Sequence, residues 1–462
     1  MGLLKKFFIG FFLLCFVSLN GQERELMVLE SNWKFYNSDV ANAENTDYND
    51  SGWESVNVPH DWAVRGHFDM NLDAQLVQVV EDGEQVPRLR TGRTGALPIF
   101  GVGWYRKVLP VSKADAGKRI FIEFDGAMSL SKIFLNGKYV GEWPYGYSSF
   151  SFELTEFLKF GEDNLLAVRL ENKPESSRWY AGAGIYRNVR LVKVPLTHVA
   201  HWGTYITTPV VNTKRADVLI KTEVTGMEGK SAQVKLETEI YQQSGKKVGV
   251  VSSKQSMQEK MLFEQKFRIS NPLLWDIESP HLYKAVTKVY VDNVLKDQYI
   301  TRFGCRSLRF DADKGFFLNE KPVKLQGVCM HHDLGPLGAA VNFRATERQM
   351  EMMKEMGVNA IRTSHNPPSP ELLQICDSMG LLVQVEAFDE WKYGKNANGY
   401  HVYFEKWAEK DLRNMIRRDR NHPSVIMWSI GNEIREQNRG EEGKEIARFL
   451  AEICRDEDPT RP

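Results

Sequence analysis

The feature that most constrains this chain is a change of period after Arg306. From there on, nearly continuous apolar runs alternate with amphipathic helical stretches. Val323–Met330 precedes a helix over Thr346–Met356, and Val358–Thr363 a helix over Pro370–Met379. Leu381–Val385 precedes Tyr403–Arg420, and Val425–Ile430 precedes Glu442–Arg455. A strand that is apolar throughout is one buried on both faces, as parallel strands are, and parallel neighbours need a crossover helix between them. Strand–helix repeated four times leaves a doubly wound sheet or a (β/α) barrel for residues 305–462. Gly357, Gly380 and Gly440 fall where helices or loops must turn, and Pro423 ends the third helix.

Polar residues then gather at the C-terminal end of each run. The first ends in His331, His332 and Asp333; the second carries Arg362, Ser364, His365 and Asn366. The third reaches Glu386, Asp389 and Glu390, and the fourth closes on Asn432 and Glu433. Parallel strands bring all these ends to one face, where barrel enzymes build their sites. Each residue also has a plainer reading. Glu433 could cap the helix that follows, since carboxylates favour helix N-termini. Asn432 could be a turn residue, and His365, before Asn366-Pro367-Pro368, a satisfied loop histidine. His331 and His332 cannot readily share a metal, because neighbours on an extended chain point to opposite sides. Together the carboxylates and imidazoles suit general acid/base work on a neutral, hydroxyl-rich substrate. There is no Gly-rich phosphate cradle and no G-x-S-x-G elbow.

Upstream, from about Met27 to Val194, short alternating strands are broken by turn residues; Arg119–Phe124, Lys132–Leu135 and Leu165–Leu170 are examples. Asn136-Gly137 between two such runs predicts a hairpin with a type I′ turn. Residues 22–195 therefore read as one β-sandwich, and 196–304 as a smaller immunoglobulin-like one. The strands of the second include Ala216–Glu223, Gln233–Tyr241, Glu264–Ile269 and Lys284–Val291. No chemistry-bearing cluster falls in it, so it reads as a spacer.

Lys+Arg and Asp+Glu each number 60, which gives no electrostatic reason to expect nucleic acid as a partner. Lys5 and Lys6, the apolar run Phe7–Val17 and the polar exit through Ser18, Asn20 and Gly21 read as a secretory signal over residues 1–21. The run is too short for a membrane span, and no later segment suits one, so a secreted or periplasmic protein without membrane insertion is expected. Cys15 lies within this signal, without the small residue a lipid-attachment site would want before it. Cys305, Cys329, Cys376 and Cys454 show no C-x-x-C spacing and read as small buried hydrophobes. The sequence is compatible with a homo-oligomer but specifies none.

The run from Asp419 through Arg-Asn-His-Pro-Ser-Val-Ile-Met-Trp-Ser-Ile-Gly-Asn to Glu433 resembles the acid/base signature of glycoside hydrolase family 2. Asn359-Ala-Ile-Arg-Thr-Ser-His-Asn-Pro-Pro368 resembles the family's other barrel signature. Val58-Pro-His-Asp-Trp62, Gly103-Trp-Tyr-Arg106, Phe134-Leu-Asn-Gly137 and Ser177-Arg-Trp-Tyr-Ala-Gly-Ala-Gly-Ile-Tyr-Arg187 resemble its sugar-binding domain. The resemblance implies a jelly-roll sandwich, an immunoglobulin-like sandwich and the first four units of a (β/α)8 TIM barrel. It also implies a retaining β-glycosidase, β-galactosidase-like, acting on terminal β-D-galactosides or related β-glycosides. Glu433 matches the acid/base, Asn432 the amide that bonds the sugar 2-hydroxyl, and His365 and His331 histidines near the sugar. Arg362 and Glu386 are expected to line the same substrate site. Trp428 is expected to wall Glu433 with apolar surface, as an acid working near neutrality requires.

Two departures stand out. A full barrel has eight strands over about 250 residues, and the family's nucleophilic Glu lies on a later strand than these four. A chain truncated after the fourth unit, and inactive alone, is expected. Some members hold a divalent ion with a histidine after the third strand; here that place is Lys392, in Phe388-Asp-Glu-Trp-Lys392, so no metal and no cofactor are expected. A β-glucuronidase or β-mannosidase of the same family, or a non-catalytic carbohydrate-binding protein, are the competing readings.

Overall fold

The computed structural model describes residues 24–90 and 93–462; the expected secretory signal and Cys15 lie outside them. The first unit packs two antiparallel sheets face to face. One joins Glu25–Val28, Val189–Val194, Arg119–Phe124 and Phe150–Glu153; the other centres on Gly101–Leu109, Asn164–Asn172 and Ser131–Leu135. Alternation does the sorting. In Arg119–Phe124, Ile120, Ile122 and Phe124 are buried while their neighbours are half-buried, and they pack with Trp33, Tyr105 and Phe150 in one core. The expected hairpin is present: Ser131–Leu135 pairs with Lys138–Trp143, and Asn136 and Gly137 both have positive φ, 54° and 79°.

The second unit is a smaller sandwich of a three-stranded sheet (His198–Val211, Arg215–Thr225, Lys260–Ser270) and a four-stranded one. All four strands expected there form. It does more than space its neighbours. Trp275 is wholly buried and its indole donates to the carbonyl of Asp377 at 2.8 Å. Arg306, just beyond it, donates to the carbonyls of Pro423 at 2.5 Å and Val425 at 2.7 Å. The unit thus braces the turn that launches the strand ending near Glu433.

Four parallel strands with crossover helices follow: β1 (Gly327–Met330), α1 (Phe343–Glu355), β2 (Ala360–Thr363), α2 (Pro370–Met379), β3 (Leu382–Glu386), α3 (His401–Asp419), β4 (Val425–Ser429) and α4 (Glu441–Glu457). The sheet runs β1-β2-β3-β4, every pair parallel. The first strand starts later than its apolar run suggests, at Gly327 opposite Ala360; residues before it have no parallel partner to pair with. Helix α1 begins earlier than expected because the Asn342 side chain accepts from the Ala345 amide at 2.9 Å and caps it. Ser369 caps α2, and Gly380, in the left-handed region at φ 72°, ends it. A short three-stranded meander over Leu308–Pro322, not anticipated, precedes β1.

Barrel and first sandwich share a core. Met128, Tyr145, Tyr147 and Tyr186 pack with Phe388, Phe404 and Leu412. Polar contacts lock the same seam: Trp143 and Ser148 donate to Asp411 at 2.8 and 2.5 Å, and the buried Arg187 donates to the carbonyls of Pro367 and Pro368.

Candidate active site

The strand ends meet at one rim, and a single network runs across it. Glu386, at the tip of β3, is the anchor. Its side chain is wholly buried (0% exposed). It accepts from Arg362 Nε at 2.8 Å and Nη2 at 3.0 Å, and from the Ser429 hydroxyl at 2.5 Å; His365 Nδ1 lies 2.7 Å from it. Each carboxylate oxygen is therefore used twice, which exhausts its acceptor capacity. The expectation that Glu386 touches substrate is corrected: it has no surface left to offer, and it holds Arg362 and His365 instead. Strand register makes this possible, since Glu386 lies opposite Ser429 and shares their side of the sheet.

Arg362 Nη2 also donates to Asn432 Oδ1 at 2.9 Å, and Asn432 Nδ2 donates to Asp389 at 2.9 Å. Asn432 is buried, yet among the described residues its amide still has one hydrogen and one lone pair uncommitted. Asp389 accepts two bonds from Arg178, at 2.9 and 2.7 Å, and one from Lys395 at 3.0 Å. Burial works against the charge of Asp389, but the Arg178 guanidinium overcomes it and holds the carboxyl down at about 2. Lys395 spans the gap, donating also to the carbonyl of Asn432 at 2.7 Å.

Glu433 sits at the end of this chain of contacts. Its side chain is 74% exposed, its Oε2 is 4.0 Å from Arg178 Nη2, and its backbone is left-handed at φ 43°. A non-glycine residue there costs on the order of 1 kcal/mol, which its surroundings must offset. What holds it is the preceding turn: Asn432 N–H donates to the carbonyl of Phe388 at 3.1 Å, and the Trp391 indole donates to that of Ile430 at 2.6 Å. At Gly431 a Cβ would come within 2.7 Å of that indole nitrogen. Trp428 does not wall Glu433. One residue out of phase with Ser429, it faces the helices, and its indole donates to Asp458 at 3.1 Å.

The two neighbouring histidines part as an extended chain requires. His332 turns inward, where burial pushes its imidazole down to about 3, with Nε2 3.1 Å from the carbonyl of Ala181. His331 turns to the rim, its ring 4.9 Å from that of Trp179 and 5.6 Å from that of His365. Burial, and then the neighbouring His365, lower its pKa. Trp179 is also 5.7 Å from His365, so it closes one wall of the site. Among the other tip residues, Glu390 accepts from the His401 amide at 3.0 Å, at the first turn of α3, where a carboxylate is favoured. Lys392 turns away to Glu405 and Glu442, at 3.2 and 3.7 Å.

Arg178, Trp179 and Lys395 are the residues that the strand-tip argument missed. The first two come from the sandwich, inside the Ser177–Arg187 run. A cation beside an aromatic in a run rich in glycine was the available signal.

Comparison with known proteins agrees with this architecture along its length. The family model described as "Glycosyl hydrolases family 2, sugar binding domain" matches residues 26–195. "Glycosyl hydrolases family 2" matches 197–306, and "Glycosyl hydrolases family 2, TIM barrel domain" matches 311–462. The chain is 46% identical over 417 residues to the β-galactosidase BoGH2A of Bacteroides ovatus, covering 90% of this chain and 47% of that protein. It is 36% identical to a putative β-glucuronidase of Formosa agariphila, over 93% of this chain and 39% of that one. Among solved structures, a glycosyl hydrolase family 2 member from Bacteroides cellulosilyticus superposes with TM-score 0.88 at 37% identity, over 95% of this chain and 55% of that one. A Bacteroides uniformis β-glucuronidase does so with TM-score 0.78 at 30% identity, over 95% and 52%. The chain thus spans about half the length of the relatives it matches. A jelly-roll sugar-binding domain, an immunoglobulin-like domain and four units of a TIM barrel, matched piece by piece, make this chain a member of glycosyl hydrolase family 2.

Proposed function

We propose that this chain carries the sugar-binding and acid/base portion of a retaining β-glycosidase that removes terminal β-D-galactosyl units from carbohydrate. The observation that carries it is Glu433: an exposed carboxylate on a left-handed turn, next to Asn432 and 4.0 Å from Arg178, at the end of a network that orders Asn432, Arg362 and His365. In this reading Glu433 protonates the leaving glycosidic oxygen and then takes a proton from the attacking water. The free hydrogen of Asn432 meets the sugar 2-hydroxyl. His331, His365 and the edge of Trp179 bound the ring.

A retaining enzyme needs a second carboxylate about 5–5.5 Å from the first. Glu386 and Asp389 are the other acids of the network: both oxygens of Glu386 accept twice, and Asp389 is held by Arg178, Lys395 and Asn432. We assign the nucleophile to neither, and to no other described residue. The purified chain is then expected to bind galactosides without hydrolysing them.

Galactoside is favoured by the relative of 46% identity, named a β-galactosidase, and by the Ser-Ile-Gly-Asn-Glu wording around Glu433. The relatives named β-glucuronidase, at 36% and 30% identity, favour a uronide as the second reading. Export to the periplasm or beyond follows from residues 1–21, and among the described residues no helix is long and apolar enough to cross a membrane. The test is calorimetry and turnover on one panel of methyl and nitrophenyl β-galactosides, β-glucuronides and β-mannosides. Preferential binding of the galactoside without turnover is the expected result. Preference for the glucuronide or mannoside would overturn the substrate assignment. Hydrolysis that Glu433→Gln abolishes would overturn the nucleophile assignment and place both carboxylates in this chain.

A further inference from the structure

Residues 75–90 fold into a two-stranded ribbon that belongs to neither sheet of the first sandwich. Gln75–Glu81 pairs antiparallel with Glu84–Arg90 in unbroken register. The turn between them is Asp82-Gly83, both at positive φ, 51° and 86°. Its root is fixed to the segment that carries Arg178 and Trp179. Gln75 Nε2 donates to the carbonyl of Ser177 at 3.0 Å, and the Glu175 amide donates to Asp73 at 2.7 Å. Among the described residues no third strand joins the ribbon. A lone hairpin is marginal in water until something packs on it.

Alternation gives the ribbon two unlike faces. One carries all its charges, Glu81, Glu84, Arg88 and Arg90, alongside Val77, Val79 and Val86, which are buried or half-buried. The other carries Leu76 opposite Leu89, Gln78 opposite Pro87 and Val80 opposite Gln85. All six of these are exposed, Leu76, Val80 and Leu89 to 74%, 72% and 66%, and none is charged. The three aliphatic side chains leave about 400 Å² in water, as much as the largest apolar patch of a typical monomer. The whole face offers roughly 600–700 Å², close to the share of about 800 Å² that one partner gives a standard interface.

We propose that this face is a self-association surface, against which a second copy of the chain packs its own ribbon, face to face about a two-fold axis. Two features select a second copy over other occupants. Sugar rings stack on aromatic side chains, and this face has none. A face without charges meets its own image with no like-charge pair opposed, and a chain with 60 basic and 60 acidic side chains approaches its copy without net repulsion. A contact of one patch with itself closes at two copies, so association stops at the dimer.

Sedimentation velocity of the full chain, from about 1 to about 100 µM, should show a monomer–dimer equilibrium. The variant Leu76→Lys/Leu89→Lys sets ammonium groups of both copies against one another. It should shift the midpoint at least about tenfold towards monomer, with circular dichroism and Tm unchanged. A second variant keeps the apolar surface whole: Gln78→Cys, made with Cys329→Ser to remove the exposed native thiol. Mild oxidation should link its dimer through position 78. A chain that stays monomeric throughout would overturn the proposal. So would a dimer that the lysine variant retains, or a dimer that forms no link through position 78.

Discussion

Arg178 gives a way to measure how firmly the sandwich is wired into the barrel rim. Its two hydrogen bonds to Asp389 cross from one domain to the other, and both side chains are largely buried, 22% and 12% exposed. The Asp389 carboxyl is held at about 2 against its ordinary 3.8, which corresponds to about 2.5 kcal/mol of stability at neutral pH. Arg178→Met should therefore destabilise the chain by about 2 kcal/mol at pH 7, the buried Asp389 keeping only Lys395 and Asn432 as partners. Asp389→Asn should cost a similar amount by stranding Arg178. Because both singles break one interaction, the double variant should be no worse than either, and the cycle should return a coupling of about 2 kcal/mol. The sign with pH follows from the lowered carboxyl. Its contribution is complete above about pH 4 and is lost as pH falls through about 2, with about half remaining at pH 3. Urea unfolding of the four proteins at pH 7 and pH 3 reads both quantities. A coupling below about 0.5 kcal/mol at pH 7, or one equal at the two pH values, would refute the reasoning.

Glu386→Ala should cost about 2–3 kcal/mol, because it strips the half-buried Arg362 and His365 of the carboxylate they share; thermal unfolding checks it, and a loss under about 1 kcal/mol would mean that Glu386 is not the anchor. Asp411 behaves in the opposite sense to Asp389: burial raises its carboxyl to about 6 despite donors from Ser148, Tyr400 and Trp143. The folded chain then binds that proton more tightly than the unfolded one, so stability should fall by about 3 kcal/mol between about pH 4 and pH 6, and Asp411→Asn should flatten that slope in a Tm-against-pH series. With Lys392 paired to Glu405 and Glu442 where an ion-binding histidine would stand, EDTA and added magnesium should each leave Tm unchanged; a rise of several degrees with magnesium would place an ion there.

Much of this was legible in the sequence, and for definite reasons. Four apolar runs with helical spacers leave a parallel sheet little alternative, and the rim residues follow from strand direction alone. Asn136-Gly137 announced its hairpin because few other dipeptides accept two positive φ values. Roles within the rim were less legible. Glu386 and Glu433 both follow strands and look alike in sequence, yet one is sealed by four donors and the other lies open. That difference depends on Ser429 and Arg362 converging from neighbouring strands, which is a matter of register. Trp428 was misplaced for a related reason: one residue along a strand separates the helix-facing side from the side that meets Glu386. Arg178 reaches Asp389 from more than two hundred residues away in the chain, Trp179 reaches His331 and His365 from a similar remove, and no local pattern reports such a docking.

The central claim is that Glu433 is the acid facing the bond between a galactosyl unit and its leaving group. N-bromoacetyl-β-D-galactosylamine places an alkylating carbon where that bond would lie, and a carboxylate there displaces bromide to form a stable ester. Peptide mapping after incubation with the purified chain should find the adduct on Glu433, suppressed by excess methyl β-D-galactopyranoside and absent from Glu433→Gln. An adduct on another carboxylate, or none in a chain that binds the methyl glycoside, would contradict the assignment.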